Sequence, residues 1–315
     1  MSIQLQLKNT LEKYDSTQLG EYYQGKVRDN YYQNDEIVMI TTDRVSAFDH
    51  VLGTIPFKGQ ILTQIAKFWF EKTADIVPNH IISYPDPQVL LAKKAETLPV
   101  EVIVRGYITG SLWREYSQGI NGQYGFVLPD ELKKDEKFIQ PILTPSTKAE
   151  YGLHDEPISK QEIIQNGLVE ESIYSQAEEY ALKLFSRGQE WADSRGLILV
   201  DTKYEFGIID EELSVVDEIH TPDSSRYWVA DEYENRFNTG EKQLMLDKEN
   251  IRQWLINRGF SGDGTPPKLT DEIRSRLAER YIELYNRLID HEFEAESGDV
   301  KTRITHNLRS KGLLV

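Results

Sequence analysis

The sequence predicts an α+β protein with a β-rich part over residues 1–97 and a larger, more helical α+β part over residues 98–315. Two observations predict this division. Short alternating or apolar runs dominate the first part, whereas apolar residues recur at three- and four-residue spacing in much of the second. A third observation concerns the stretch GLILVDTKYEFG, from Gly196 to Gly207. It is apolar from Leu197 to Val200 and then carries Asp201, Lys203 and Glu205 at alternate positions. Alternate residues of a strand share a face. The three charged residues are therefore expected on one side, and Ile198, Val200, Tyr204 and Phe206 on the other. A strand whose polar face lines a cleft fits this pattern.

Taken in order, Glu21 to Tyr32 reads as strand, Gly-Lys turn and strand, and Asp35 to Thr42 as a third strand. TTDRVSAFDHVL reads as a polar loop. Lys58 to Thr73 places Ile61, Ile65, Phe68 and Trp69 at helical spacing and predicts an amphipathic helix packed through its aromatics. Leu98 to Arg105 is a β-branched run, predicted as a strand joining the two parts. A long helix is expected over Glu170 to Arg195, with Ile173, Ala177, Ala181, Leu184 and Phe185 as its stripe and Gly196 beyond its end. Lys248 to Asn257 and Thr270 to His291 read as helices, the second with Thr270 as cap and acids in its first turn. The tail from Val300 is basic and reads as a docked or frayed terminus.

Composition narrows the function. With 315 residues, 39% hydrophobic and 28% charged, the chain has the makeup of a globular protein. A net charge of −16 argues against nucleic acid as a partner, because phosphate backbones are bound by excess Lys and Arg. No apolar run approaches the about 20 residues of a membrane span, and the first residues lack a signal-peptide pattern. Cysteine is absent, which excludes thiolate chemistry and disulfides, and a cytoplasmic location is expected.

In an acidic chain, basic residues beside glycine or inside apolar runs stand out. Gly25, Lys26 and Arg28 form a glycine turn with two cations, able to meet an anion or simply to close a hairpin. Arg105 ends an apolar strand and Ser111 opens a helix, a combination suited to an oxyanion or to a structural carboxylate partner. Arg226 follows the turn Pro222-Asp223-Ser224-Ser225 and is a second anion ligand candidate. Lys148 and Asp155 lie in a segment too polar for a strand, suited respectively to a phosphate and to a substrate amine or metal-bound water. His154 and His220 carry no specific assignment. If Asp210-Glu211-Glu212 form a hairpin loop, Glu205 faces Asp217 with Cβ atoms about 5 Å apart. Such a pair suits Mg²⁺ completed by phosphates; a solvated acidic hairpin tip has the same spacing.

Read together, these stretches resemble the SAICAR synthetase (phosphoribosylaminoimidazole-succinocarboxamide synthase) family of purine biosynthesis. LPVEVIVR through TGS and LVDTKYEFG resemble its two signatures, with GKVRDNY, TTDRVSAFDHVL, TPSTKAEYGLHDEPIS and TPDSSRYW in the expected order. The likeness runs from about residue 14 to about residue 290, is closer to the longer, yeast-like form, and is poor over Asn235 to Leu246. The resemblance implies a small antiparallel β lobe over a larger α+β lobe, with ATP in the cleft between them. It implies a ligase joining L-aspartate to the carboxylate of carboxyaminoimidazole ribonucleotide, with ATP cleaved to ADP and phosphate, acting as monomer or homodimer. By the same resemblance Gly25, Lys26, Arg28, Glu101 and Lys148 bind ATP, and Glu205 and Asp217 hold Mg²⁺. Arg105, Ser111 and Arg226 grip the ribonucleotide phosphate, with Asp223 in the same substrate-binding set. Asp155 and the catalytic pair Asp201 and Lys203 face the imidazole. The alternative reading is a kinase-like small-molecule phosphotransferase, against which stands the lack of HRD and DFG motifs; a third is an inactive nucleotide-binding module.

Overall fold

The computed structural model describes residues 2–48, 50–148, 155–246, 249–262 and 264–315. Helix α1 (Ile3–Gln6) precedes strands β1 (Glu21–Gln24), β2 (Arg28–Gln33), β3 (Glu36–Thr41), β4 (Arg44–Ala47) and β5 (His50–Thr54). Next come α2 (Lys58–Lys72), β6 (Ile81–Asp86), β7 (Val89–Lys93), β8 (Glu96–Tyr107), α3 (Gly110–Ser117), β9 (Lys137–Leu143) and β10 (Ser146–Thr147). The rest comprises α4 (Lys160–Gln165), α5 (Glu171–Asp193), β11 (Leu197–Ile209), β12 (Glu212–Val216), β13 (Ser225–Val229), α6 (Ala230–Thr239), α7 (Glu249–Ile256), α8 (Asp271–Leu288) and α9 (Val300–Ser310). The fold is mixed α+β with antiparallel sheets, as expected. Among the described residues no helix is long and apolar enough to cross a membrane.

The first sheet has the order β1-β2-β3-β7-β6. Its central strand β3 is buried on both faces: Ile37 and Met39 pack with Leu90 and Ala92, while Val38 and Ile40 pack with Ile304 and Leu308 of α9. The basic tail is thus docked. Its Arg303 donates from Nε and Nη2 to the buried Asp86 carboxylate at 3.1 Å each.

The second sheet runs β10-β8-β11-β12, with β13 also paired to β11 and β9 to β8. One face lies on the core: Val100, Val102 and Val104 of β8 and Tyr204 and Phe206 of β11 pack with Ala177, Ala181, Leu184 and Phe185 of α5. The two alanines sit one helical turn apart and let the helix lie close to the strands. Farther along, a Cβ on Gly188 would fall 2.4 Å from the His220 ring. His220 itself is structural: fully buried, Nε2 against the Tyr204 hydroxyl at 2.5 Å, and kept neutral by burial, which lowers its pKa to about 3.

Four expectations are corrected. The β11–β12 loop holds two residues, Asp210 and Glu211, both at positive φ (50° and 67°), so Glu205 pairs with Val216 and not Asp217. A two-residue loop of this hand matches the strand twist, and the register moves by one residue. The β11–β13 register also shifts between Leu199 and Asp201. This bulge exchanges the faces: Leu197 and Leu199 join the core with Tyr204, while Ile198 and Val200 pack in a separate cluster around Trp228. The segment from Thr41 is no loop, because β4 and β5 form a hairpin with all of β4 buried. Finally, Ser146 and Thr147 pair with Glu101 and Val100 despite their polarity.

Candidate active site

The opposite face of β8 and β11 carries the charged residues. The register sets Asp201 beside Arg105, Lys203 beside Ile103 and Glu205 beside Glu101, while β13 brings Arg226 to the other side of Asp201. One carboxylate therefore lies between two guanidiniums. Arg105 donates from Nη1 to Asp201 Oδ2 at 3.2 Å, from Nε to Thr144 Oγ1 at 2.7 Å and from Nη2 to Ser111 Oγ at 3.2 Å. Arg226 pairs with the same Asp201 oxygen. Burial, with Arg226 nearby, holds the Arg105 pKa below its ordinary value, although Asp201 opposes this. Two guanidiniums converging on one carboxylate supply the planar donor forks that suit a phosphate monoester. Gly110 makes room for Arg226: it has a φ of +60°, and a Cβ there would lie 2.3 Å from Arg226 Nη2, which would have to move.

Along the same face, Lys203 Nζ donates to Glu101 Oε1 at 2.8 Å and pairs also with Glu205, whose second oxygen takes Lys148. Burial works against the Lys203 charge, but Glu205, Glu101 and Asp217 together hold its pKa well above the usual lysine value. Burial pushes Glu205 up, and Lys203 and Lys148 outweigh it, so its pKa is lowered to about 2. Burial and neighbouring Glu205 raise Glu101 despite Lys203.

Asp217 leaves β12 with a φ of 65° and pairs with Arg28, which bridges it to Glu218. Although it is not opposite Glu205, it still acts on Lys203 and Lys148 electrostatically. Neither proposed metal ligand points into bulk solvent, the side chains being 13% (Glu205) and 26% (Asp217) exposed. Among the described residues no three acidic, histidine or cysteine side chains form a ready cation cage. Two carboxylates with neighbouring lysines suit an ion that arrives with nucleotide phosphates, since Mg²⁺ commonly takes one or two protein carboxylates and keeps phosphate and water ligands. The donor chemistry fits.

Two adjoining cavities share Ser111, Arg226 and Arg252. The smaller, about 210 Å³, is lined by Arg105, Asp201, Lys203 and Asp223 among others; the larger, about 580 Å³, by Lys26 and Asp155. The sequence-predicted residues are thus brought to one region, with Gly25 in the turn between β1 and β2. Asp223 is held from behind: Lys58 Nζ and the Tyr281 hydroxyl each donate to it at 2.8 Å. Sequence reasoning missed Lys58, Thr144, Glu218 and Arg252. Lys58 begins a helix that reads as core, and only burial of a lysine with 0% exposure reveals it. His154 lies outside the described residues.

A family model described as SAICAR synthetase matches residues 21–268. The chain belongs to the SAICAR synthetase family. The phosphoribosylaminoimidazole-succinocarboxamide synthase of Cytophaga hutchinsonii is 50% identical over 291 residues, covering 91% of this chain and 94% of its own length. That of Legionella pneumophila (strain Paris) is 45% identical over 302 residues, with coverages of 93% and 96%. Among solved structures of SAICAR synthetases, the Saccharomyces cerevisiae SAICAR-synthase complexed with SAICAR has a TM-score of 0.80 and 34% identity over 91% of this chain and 100% of that one. A type-2 SAICAR synthetase in complex with ADP has a TM-score of 0.67 and 26% identity, covering 87% and 100%.

Proposed function

We propose that this chain is an ATP-dependent ligase that joins L-aspartate to the carboxylate of carboxyaminoimidazole ribonucleotide, giving SAICAR, ADP and phosphate in purine biosynthesis. Family membership supports the activity, and one observation carries the site assignment: Asp201 held between Arg105 and Arg226, two residues along the strand from Lys203. Two guanidiniums sharing one carboxylate receive the 5′-phosphate, with the Ser111 hydroxyl at the start of α3. The imidazole end with its carboxylate then extends toward Lys203 and Asp155.

A carboxylate is a poor acyl donor because resonance and negative charge resist an amine. Phosphoryl transfer from ATP to a carboxylate oxygen converts that oxygen into a leaving group. Lys203 is held charged by three acids, so it acts as an electrostatic stabiliser of the transferring group and not as a base. Glu205 and Asp217 would hold Mg²⁺, and that ion, when bound, supplies neutralisation of the phosphate oxygens. Lys26, with the Gly25 turn, and Lys148 meet the nucleotide phosphates. Arg28 and Glu101, which the resemblance puts on ATP, have their side chains engaged, Arg28 by Asp217 and Glu218 and Glu101 by Lys203. In this reading they serve the nucleotide through those neighbours, Arg28 orienting Asp217 and Glu101 positioning Lys203. Aspartate's amine then attacks the activated carboxyl, with the lobe built on the first sheet, on which α9 docks, covering the nucleotide and the lobe built on the second sheet holding the ribonucleotide. Exclusion of water protects the activated group.

A kinase-like phosphotransferase is not favoured, since it requires neither an amine substrate nor this family's signatures. Omitting each substrate in turn separates them. The ligase releases ADP only with ribonucleotide and aspartate together, and mass spectrometry finds the succinocarboxamide. ADP release with aspartate omitted, at the full rate, would overturn the proposal.

A further inference from the structure

The segment that reads as a polar loop, TTDRVSAFDHVL, lines the larger cavity through Ser46, Ala47 and Phe48 and also holds a buried arginine beside the nucleotide turn. Arg44 is 2% exposed. Its Nε donates to the Lys26 carbonyl at 3.2 Å, and Nη2 to the carbonyls of Gly25 at 3.0 Å and Arg28 at 3.2 Å. Nη1 donates to the Glu12 carbonyl at 2.5 Å, and Asp29, itself fully buried, neutralises the guanidinium at 2.8 Å. The remaining carbonyl of the turn, that of Val27, accepts from the Thr42 amide at 3.0 Å and the Thr42 hydroxyl at 2.5 Å.

A trans peptide unit directs its N–H opposite to its C=O. With the carbonyls of Gly25, Lys26 and Val27 all drawn toward Arg44 and Thr42, the amides of Lys26, Val27 and Arg28 turn to the other side. Successive amides on one side make a concave anion site. Hydrogen bonding to a cation also polarises those peptide units and strengthens their N–H groups as donors. Only a forked guanidinium spans several carbonyls from one buried position; a lysine offers three donors on a single atom.

We propose that Arg44 is a positioning residue whose guanidinium gathers the carbonyls of Gly25, Lys26 and Arg28, while Thr42 holds that of Val27, and so presents the amides of Lys26, Val27 and Arg28 to the phosphates of the nucleoside triphosphate. This rests on the reading that the turn binds ATP phosphates. The test compares Arg44→Lys, Thr42→Val and Lys26→Met by calorimetric ADP and ribonucleotide affinity, KM for each substrate, and thermal melting. Arg44→Lys should weaken ADP binding and raise the KM for ATP by about tenfold, one hydrogen bond to a charged group being worth that factor. Affinity for the ribonucleotide and the KM for aspartate should stay within about twofold, as expected for groups that share no contact. Thr42→Val keeps the guanidinium, serves if Arg44→Lys does not fold, and should move ADP in the same direction by a smaller factor. A lowered melting temperature with ADP affinity unchanged, in whichever of these two variants folds, would make Arg44 merely structural and overturn the proposal. The two failures are distinguishable. If Lys26→Met leaves ADP affinity unaltered, the reading of the turn is wrong; if it weakens ADP while Arg44→Lys and Thr42→Val do not, only the role of Arg44 is wrong.

Discussion

Replacing Lys58 by methionine should destabilise the protein and loosen the ribonucleotide site together. Lys58 is fully buried, and its partner Asp223 is 6% exposed, so the variant removes a buried cation from beside a buried carboxylate. Breaking such a pair costs about 3–5 kcal/mol. The Tyr281 hydroxyl still donates to Asp223 Oδ1 at 2.8 Å, which puts the loss near the lower end, about 3 kcal/mol. For 315 residues, with an unfolding entropy of about 2.1 cal/mol/K per residue, that is a drop in Tm of about 5 °C. Asp223 precedes β13 by two residues, and β13 carries Arg226, so the KM for the ribonucleotide should rise more than the KM for ATP. Circular-dichroism melts and steady-state kinetics read both effects. Lys58→Met/Asp223→Asn removes both charges and should recover most of the stability. A single variant melting within about 1 °C of the parent, well inside the shift worked out above, would refute the reasoning, as would a double variant no better than the single.

Other perturbations address the chemistry. Glu205→Gln and Asp217→Asn should each lower kcat by at least about 100-fold, the size of losing one electrostatic stabiliser, with the melting curve still cooperative; an active, Mg²⁺-dependent double variant would remove both from the metal site. Gly110→Ala forces a Cβ to 2.3 Å from Arg226 Nη2 and adds strain at a φ of +60°, so the KM for the ribonucleotide should rise while aspartate and ATP kinetics change little. For pH, the folded pKa of Glu205 is depressed to about 2 by Lys203 and Lys148 against burial, so its stabilisation is complete above the unfolded value and is lost as pH falls from about 4.5 toward about 2. Glu205→Gln should therefore lose less stability across that acid window than the parent, measured by urea unfolding at each pH; an equal loss would contradict the ion-pair account.

Much of the site was legible because strand alternation is local. Asp201, Lys203 and Glu205 do share a face, and Ile61, Ile65 and Trp69 of α2 are buried as their spacing predicts. What escaped depends on distant partners. The register of β12 turns on Asp210 and Glu211 both taking positive φ; Asp210 marks the turn, but with no glycine or asparagine beside it the sequence does not separate a two-residue loop from a three-residue one. The bulge near Val200 carries no glycine either, and it appears only when β13 is laid beside β11. The β4–β5 hairpin reads as polar because Arg44 is polar; it is buried because four carbonyls and Asp29 await it. Likewise Lys58 and Asp223 are 165 residues apart, and neither sequence context hints at the other.

The central claim is that ATP activates the ribonucleotide's own carboxylate, and oxygen-18 reports on it directly. The ribonucleotide is prepared with both carboxylate oxygens labelled and turned over with unlabelled ATP and aspartate. The account predicts one labelled oxygen in the released inorganic phosphate and the other in the amide carbonyl of the product. Unlabelled phosphate would contradict it.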